Sequence, residues 1–180
     1  MLVYHFSKIE TMTASSLTIS EEVTMTDAFF KRAQEMLSSA KHVHVEGTLS
    51  RQAPFVVGDF HVMANVTAPS SRSLTPVDFP LDFHFTENYA EQMPPEADDT
   101  EDVPIILIKN DLIDLQKAIE DNLLLNLPTT ILTNDEKNKG VYPSGDGWQV
   151  VSQDSYEKEK TQRLNPAFAS LKHFMDKKNP

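Results

Sequence analysis

The sequence predicts an α+β fold, in which a curved antiparallel sheet of five to seven strands is packed with two or three helices. Apolar and polar residues alternate in three segments, which indicates three successive strands with one solvent-facing side each. These segments span residues 41–49, 60–68 and 77–86. Two amphipathic segments, starting at Thr26 or Asp27 and at Asp114, predict helices that cover the apolar face of the sheet.

The first predicted helix follows twenty-five largely polar residues that contain only short β-branched pieces. Thr26 or Asp27 can cap this helix, since short polar side chains accept hydrogen bonds from the first free amides. Its apolar residues recur at helical spacing. They are Phe29, Phe30, Ala33, Met36 and Leu37.

Pro80 restricts where its strand can lie in the sheet. Because proline has no amide hydrogen to donate, Pro80 must face outward or lie where its strand forms an edge. An acid-rich loop, residues 91–102, separates this strand from the apolar run Ile105–Ile108, which predicts a buried strand. Asp114 then caps the second helix, which Pro128 ends.

The domain boundaries follow from composition. Residues 1–150 are predicted to form a single α+β domain, and residues 151–180 a charged C-terminal tail. Within the tail, Asn165 as a cap and Pro166 at the first helical position predict a short helix that docks on the domain.

Charge and composition restrict the classes of function. The 180 residues include 16 Lys and Arg, 27 Asp and Glu and no Cys, which gives a formal net charge of -11. The absence of cysteine excludes disulfides, thiolate-ligated metals and thiol catalysis. The net negative field repels polyanions, so contact with nucleic acid requires a local cluster of basic residues. No segment has the length and hydropathy of a signal peptide or a membrane helix, so a cytoplasmic protein without membrane contact is expected.

Motifs for catalysis and cofactor binding are missing from the sequence. It contains no nucleophile elbow, phosphate-binding glycine loop or zinc-protease pair. We therefore expect no catalytic residue, no cofactor and no enzyme. Histidines on the polar sides of the strands would be able to converge on a metal if the strands paired suitably, but such spacing recurs by chance, and no metal site is predicted. These histidines are His42, His44, His61 and His84.

Between the second and third alternating segments lies a serine-rich stretch, defined here as the serine segment (residues 70–73). The surrounding sequence, APSSRSLTPVDFPLDFHFTENY, is followed by the acidic loop, by IDLQKAIEDNLLLNLP, by a GW turn and by LNPAFASLKHFM. In this order the pieces resemble the YceD family, the large ribosomal RNA subunit accumulation proteins. The resemblance covers roughly residues 41–175, and its most specific part is Asp114–Pro128 with the tail.

The resemblance assigns roles to particular positions. Ser70 and Ser73 stand where many relatives carry cysteines, whereas Arg72 and Leu74 match the family. The serine segment is therefore expected to be a tight turn without metal or redox chemistry, and a contact role for Arg72 is the alternative. The positions that match the family pattern and are expected to be structural are Leu74, Asp114, Leu115, Leu127, Pro128, Trp148, Asn165 and Pro166.

For function, the resemblance implies a non-catalytic ribosome-biogenesis factor that supports accumulation of large-subunit ribosomal RNA. Its acidity favours binding to a basic ribosomal or assembly protein. Direct binding of RNA through a local basic patch is the alternative, and the oligomeric state is left open. The candidate contact residues are Ser70, Ser71, Arg72, Ser73, Arg51, Lys158, Lys160 and Arg163.

Overall fold

The computed structural model of the chain describes residues 2–93, 103–139, 142, 144–151 and 155–158, without the side chains of residues 138 and 139. It divides into two compact units, residues 1–131 and residues 132–180. The predicted division after residue 150 lies within the second unit, and it stays a prediction. The elements of the first unit, in chain order, are β1 (Val3–His5), α1 (Phe6–Glu10), β2 (Ser16–Val23), α2 (Asp27–Ala33), β3 (Ser39–Gln52), β4 (Phe55–Pro69), β5 (Pro76–Ala90), β6 (Ile105–Leu107), β7 (Leu112–Asp114) and α3 (Leu115–Leu125).

A five-stranded sheet in the order β2-β3-β4-β5-β6 organises the first unit. Its pairs are antiparallel except for β5 and β6, which run parallel. The predicted α+β class is confirmed. The three segments with alternating residues became the three long central strands, and the β-branched pieces near the N-terminus joined into the edge strand β2.

The outermost strand β6 is short and covers little of its neighbour. It pairs only with residues 88–90 of β5. The side of β5 that faces away from β4 is therefore unpaired at Pro80 in the described residues. This arrangement confirms the constraint set by Pro80. The run Ile105–Ile108 was predicted to be a buried strand. A strand forms there as β6, but its predicted burial was wrong. Ile106 and Leu107 are exposed, because a three-residue strand at the rim of the sheet has no layer over it.

Helix α2 begins as predicted but is shorter. The Thr26 hydroxyl accepts a hydrogen bond from Phe29 N at 3.1 Å, which caps the first turn. The helix ends at Ala33 and the chain continues as a turn. Leu37 still reaches the core, whereas Met36 is exposed.

Helix α3 is capped by Asp114, whose side chain accepts a hydrogen bond from Lys117 N at 2.9 Å. Its buried face packs on the sheet in one core with α1 and α2. The helix ends at Leu125, and Asn126 closes it through its backbone amide before Pro128 stops further winding. The buried apolar residues of α3 are Leu115, Ala118, Ile119 and Leu123.

The N-terminal residues form structure that local patterns did not predict. Strand β1 pairs with β7 in a separate two-stranded sheet, with Tyr4 opposite Ile113. Helix α1 follows directly and buries Phe6 and Ile9 in the core. The partners are more than a hundred residues apart, so neither segment carries the signal for this pairing by itself.

The second unit contains α4 (Asn134–Lys139), β8 (Ser144–Gly145) and β9 (Trp148–Gln149). A reciprocal cap opens α4, since Thr133 N donates to the Glu136 carboxylate and Glu136 N donates to the Thr133 hydroxyl. Trp148 is exposed on a two-stranded hairpin. The predicted docking helix at residues 165–175 lies outside the described residues. In the described part of the chain, no helix has both the length and the apolar character needed to cross a membrane.

Candidate functional site

The serine segment forms the tight turn that joins β4 to β5. Ser70 is fully buried, and its hydroxyl accepts hydrogen bonds from Arg72 N at 3.1 Å and Ser73 N at 3.4 Å. Ser70 N donates to Thr75 O, and Leu74 N donates back to Ser70 O. The serine hydroxyl thus satisfies backbone amides of the turn, which is the structural role predicted for this position.

A second serine ties this turn to the chain that leaves α3. Ser71 N donates to Ile131 O at 2.7 Å, and Ile131 N donates to the Ser71 hydroxyl at 2.9 Å. Arg72 is half-buried beside this link. Leu74 is exposed at a φ of 59°, a backbone conformation that side chains of its size rarely adopt. The serine segment is therefore held by hydrogen bonds within the turn and by those to Ile131.

Of the predicted basic contact residues, Arg51 and Arg72 lie apart in the first unit. Arg51 lies at the β3–β4 end of the hairpin, where its guanidinium donates to Glu10 O at 2.8 Å. Arg72 follows the opposite end of β4. The strand between them has 15 residues, a span of up to about 46 Å if fully extended. Lys158 belongs to the second unit, and Lys160 and Arg163 lie outside the described residues.

A groove of about 560 Å³ lies between β6, β7 and α3. Three exposed apolar side chains line it: Ile106 (40% exposed), Leu107 (48%) and Leu112 (37%). The groove could not be predicted from the sequence, because the apolar run Ile105–Ile108 predicts a buried strand. The turn residues Asn110 and Asp111 mark where this strand ends, but they do not show its place in the sheet.

The inner wall of the groove carries a buried carboxylate that is fully hydrogen-bonded. Glu87 accepts from the Tyr89 hydroxyl at 2.8 Å and from Asn122 Nδ2 at 2.8 Å. Burial, and secondarily the Glu87 charge, raises the pKa of Tyr89 well above its ordinary range. Tyr89 therefore remains neutral and donates a hydrogen bond to Glu87.

Charged side chains line the helix side of the groove. Lys117 pairs with Asp121, one helical turn further along α3. The Asp121 carboxylate also forms a salt bridge with the Arg32 guanidinium of α2, at an N–O distance of 2.7 Å. These exposed pairs fix side-chain positions more than they stabilise the fold.

The solvent-facing side of the sheet gathers a second set of groups, defined here as the polar face (Glu22, His44, Glu46, His61, Asp82 and His84). The register places His61 directly opposite His84 on the neighbouring strand. Their rings stack with centroids 4.2 Å apart and an angle of 6° between the ring planes. His44 pairs instead with Glu22 at 3.2 Å. His42 lies in a β-bulge with a φ of 50°, which interrupts the alternation that predicted a shared face for His42 and His44.

His61 lies between two carboxylates of the polar face. Its Nε2 is 2.7 Å from Asp82 Oδ1, and its Nδ1 is 3.3 Å from Glu46 Oε1. The hydrogen bond with Asp82, followed by that with Glu46, raises the pKa of His61 above its ordinary value of 6.5. The two carboxylates thus orient the imidazole and favour its charged form.

Three of the eight positions that match the family pattern have a structural role in the described residues, whereas Leu74 and Trp148 are exposed. Asp114 is the cap of α3, Leu115 is fully buried and Leu127 packs against the core, whereas Pro128 is exposed. Asn165 and Pro166 lie outside the described residues.

The comparison with protein families is decisive for the assignment. A family model described as "Large ribosomal RNA subunit accumulation protein YceD" matches residues 58–175, well over half of the chain. The chain belongs to the YceD family. In this YceD protein the matched span begins within β4 and includes the serine segment, β5, the groove strands β6 and β7 and the whole of α3.

A second comparison gives a distant relative of this YceD protein. The uncharacterized protein YlbN of Bacillus subtilis (strain 168) is 28% identical over 134 residues, which cover 74% of each chain. No solved structure matches the chain significantly.

Proposed function

We propose that this YceD protein is a non-catalytic ribosome-biogenesis factor, which supports accumulation of large-subunit ribosomal RNA by binding a basic ribosomal or assembly protein in the groove. The observation that supports this most directly is the exposed apolar lining formed by Ile106, Leu107 and Leu112. Clustered exposed apolar side chains are typical of protein-binding surfaces.

Charge favours a basic partner for this groove. The chain carries a formal net charge of -11, so its long-range field attracts a cationic protein and accelerates the encounter. The groove supplies the apolar contacts that hold a partner once it has arrived, and β6 offers the edge of a sheet to an extended segment.

The same charge argues against RNA as the direct ligand. Phosphate binding requires several basic side chains close together. Arg51 and Arg72 lie at opposite ends of the β3–β4–β5 hairpins, so the predicted patch does not form from these two residues. The link to ribosomal RNA is therefore assigned to the protein partner.

The proposal is tested by affinity capture from cells, with and without RNase. Wild type is compared with Leu107→Asp, which places a charge in the groove, and with Leu125→Asp. Leu125 is a matched control, because it is 80% exposed on α3 and does not line the groove.

We expect wild type and Leu125→Asp to retain a basic large-subunit ribosomal or assembly protein after RNase treatment, and Leu107→Asp to lose it. Association that disappears with RNase, or that Leu107→Asp retains at the wild-type level, would contradict the proposal. Steep loss of a bound RNA with increasing salt would instead favour direct phosphate contact.

A further inference from the structure

We propose that His61, Asp82 and His84 form a binding site for a divalent transition metal of the zinc class. The site is independent of the groove and of the partner protein proposed above. It lies on the opposite side of the sheet from the core, where the polar face is open to solvent.

The register of β4 and β5 carries the proposal. His61 and His84 occupy directly opposed positions, and Asp82 is two residues before His84 on the same side of β5. One candidate ligand atom from each residue lies within 4.8 Å of the other two. Zinc bonds to nitrogen and oxygen of about 2.0–2.2 Å place tetrahedral ligands about 3.4 Å apart. Because the rings of His61 and His84 stack almost parallel, the exposed His84 ring must turn out of the stack to direct a nitrogen at the shared position.

The donor set determines the class of cation. Two imidazoles and one carboxylate suit zinc, cobalt, nickel or copper, whereas calcium and magnesium prefer oxygen donors alone. Three protein ligands leave one position of a tetrahedral centre for water or for a group from a partner.

Glu46 supplies an independent observation. Its carboxylate is 3.3 Å from Nδ1 of His61, while Nε2 of the same ring points to Asp82. A histidine that binds zinc through one nitrogen commonly donates the other N–H to a carboxylate, which fixes the ring and its tautomer. The bound cation takes the place of the hydrogen between His61 Nε2 and Asp82, and the bond to Glu46 is kept.

This inference differs from the expectation drawn from sequence, which predicted no metal site. The sequence places His61 and His84 on the polar sides of strands, but it does not show that these two strands bring the rings together. The pairing of β4 with β5 groups them, and it leaves His42 in the bulge and His44 with Glu22.

The test is a titration of the full-length, untagged chain with zinc by calorimetry, after removal of metal with a chelator. Cobalt replaces zinc in a parallel titration, because its visible absorption reports a tetrahedral site with nitrogen ligands. The variants are His84→Ala and Asp82→Asn, which change exposed side chains, and Glu46→Gln. His5→Ala is the control, since it removes one exposed histidine outside the polar face.

We expect wild type and His5→Ala to bind one zinc ion per chain and to show the same cobalt spectrum. Glu46→Gln should weaken zinc binding about 10-fold, and His84→Ala or Asp82→Asn should weaken it more than about 100-fold, because loss of a direct ligand exceeds loss of its supporting group. Circular dichroism checks that each variant is folded. The proposal is overturned if wild type takes up no stoichiometric zinc, or if His84→Ala and Asp82→Asn bind zinc as wild type does.

Discussion

The Asp111 carboxylate accepts one hydrogen bond from the backbone nitrogen of Ser7 and another from the Ser7 hydroxyl, both at 2.7 Å. Helix α1 has no capping side chain of its own, because His5 at its N-cap makes no such bond. Asp111, which immediately precedes β7, supplies the missing acceptor from a distant part of the sequence. This contact joins the N-terminal helix to the span that identifies the family.

The Asp111–Ser7 contact predicts a pH-dependent contribution to stability. The hydrogen bonds from Ser7 hold the pKa of Asp111 below its ordinary value of 3.8. Because the folded-state pKa is lowered, the contribution is present above that ordinary value and is lost as the pH falls through the lower pKa of the folded state. Asp111→Asn should therefore reduce the free energy of unfolding at neutral pH, and the difference from wild type should narrow in acid.

Urea unfolding at a series of pH values measures this difference. Asparagine tolerates the positive φ of 61° at this position, so the backbone is not the cause of the loss. Glu35→Gln, at an exposed carboxylate after α2, is the control and should show no comparable difference. A pH-independent deficit in Asp111→Asn would contradict the explanation.

Helix α3 offers a matched pair of leucines that tests its packing. Leu123 is fully buried in the core, whereas Leu125, two residues on, is 80% exposed. Leu123→Ala should lower the free energy of unfolding by about 2–5 kcal/mol, because it leaves a cavity. Leu125→Ala should change it by no more than about 0.5 kcal/mol. Equal effects in chemical denaturation would show that α3 is not packed as described.

The serine segment predicts different consequences for substitution of Ser70 and of Ser73. Ser70→Ala removes a buried hydroxyl that accepts from two backbone amides, and should cost about 1–3 kcal/mol of unfolding free energy. Ser73→Ala affects an exposed hydroxyl, so its cost should be smaller. Thermal and urea unfolding of both variants measure the difference, and a cost for Ser73→Ala as large as that for Ser70→Ala would disprove this account of the turn.

Gly47 should resist substitution by any larger residue. A Cβ atom at this position would lie 2.8 Å from Phe60 Cα and even closer to the carbonyl oxygen of Asp59, both backbone atoms of β4. Since the backbone cannot move away as a side chain can, Gly47→Ala should destabilise the protein by about 1–3 kcal/mol or more. Thr48→Ala, the next residue on β3, is the comparison for unfolding measurements. A Gly47→Ala variant as stable as Thr48→Ala would show that the two strands are less close than described.

The elements that can be predicted from the sequence are those specified by local signals. Helix α3 has its cap at Asp114, its apolar period and its stop at Pro128 within one short stretch. Apolar and polar residues alternate in residues 60–68 of β4 and 77–86 of β5. Strand β1 and helix α1 were missed because their main support, β7 and Asp111, comes from the far end of the first unit.

The positions of His61 and His84 relative to each other depend on the register of β4 with β5, which the turn between these strands sets. Once the serine segment is known to join Pro69 to Pro76 as opposed residues, His61 and His84 must face each other, each eight positions from its own proline. The groove required knowledge of which strand ends the sheet, and the apolar run Ile105–Ile108 gave no sign of that. The separation of Arg51 from Arg72 likewise follows from the length of β4.

The incomplete cover that β6 gives to β5 has a further consequence, for self-association. In the described part of the chain, residues 76–87 of β5 have backbone groups along one side that no strand pairs with. Pro76 and Pro80 interrupt the row of amide donors, and Asp78 and Asp82 would oppose like charges if two copies aligned there. Strand β5 thus carries its own barrier to edge-to-edge aggregation, and on this side of the sheet the accessible edge in the described residues is confined to β6.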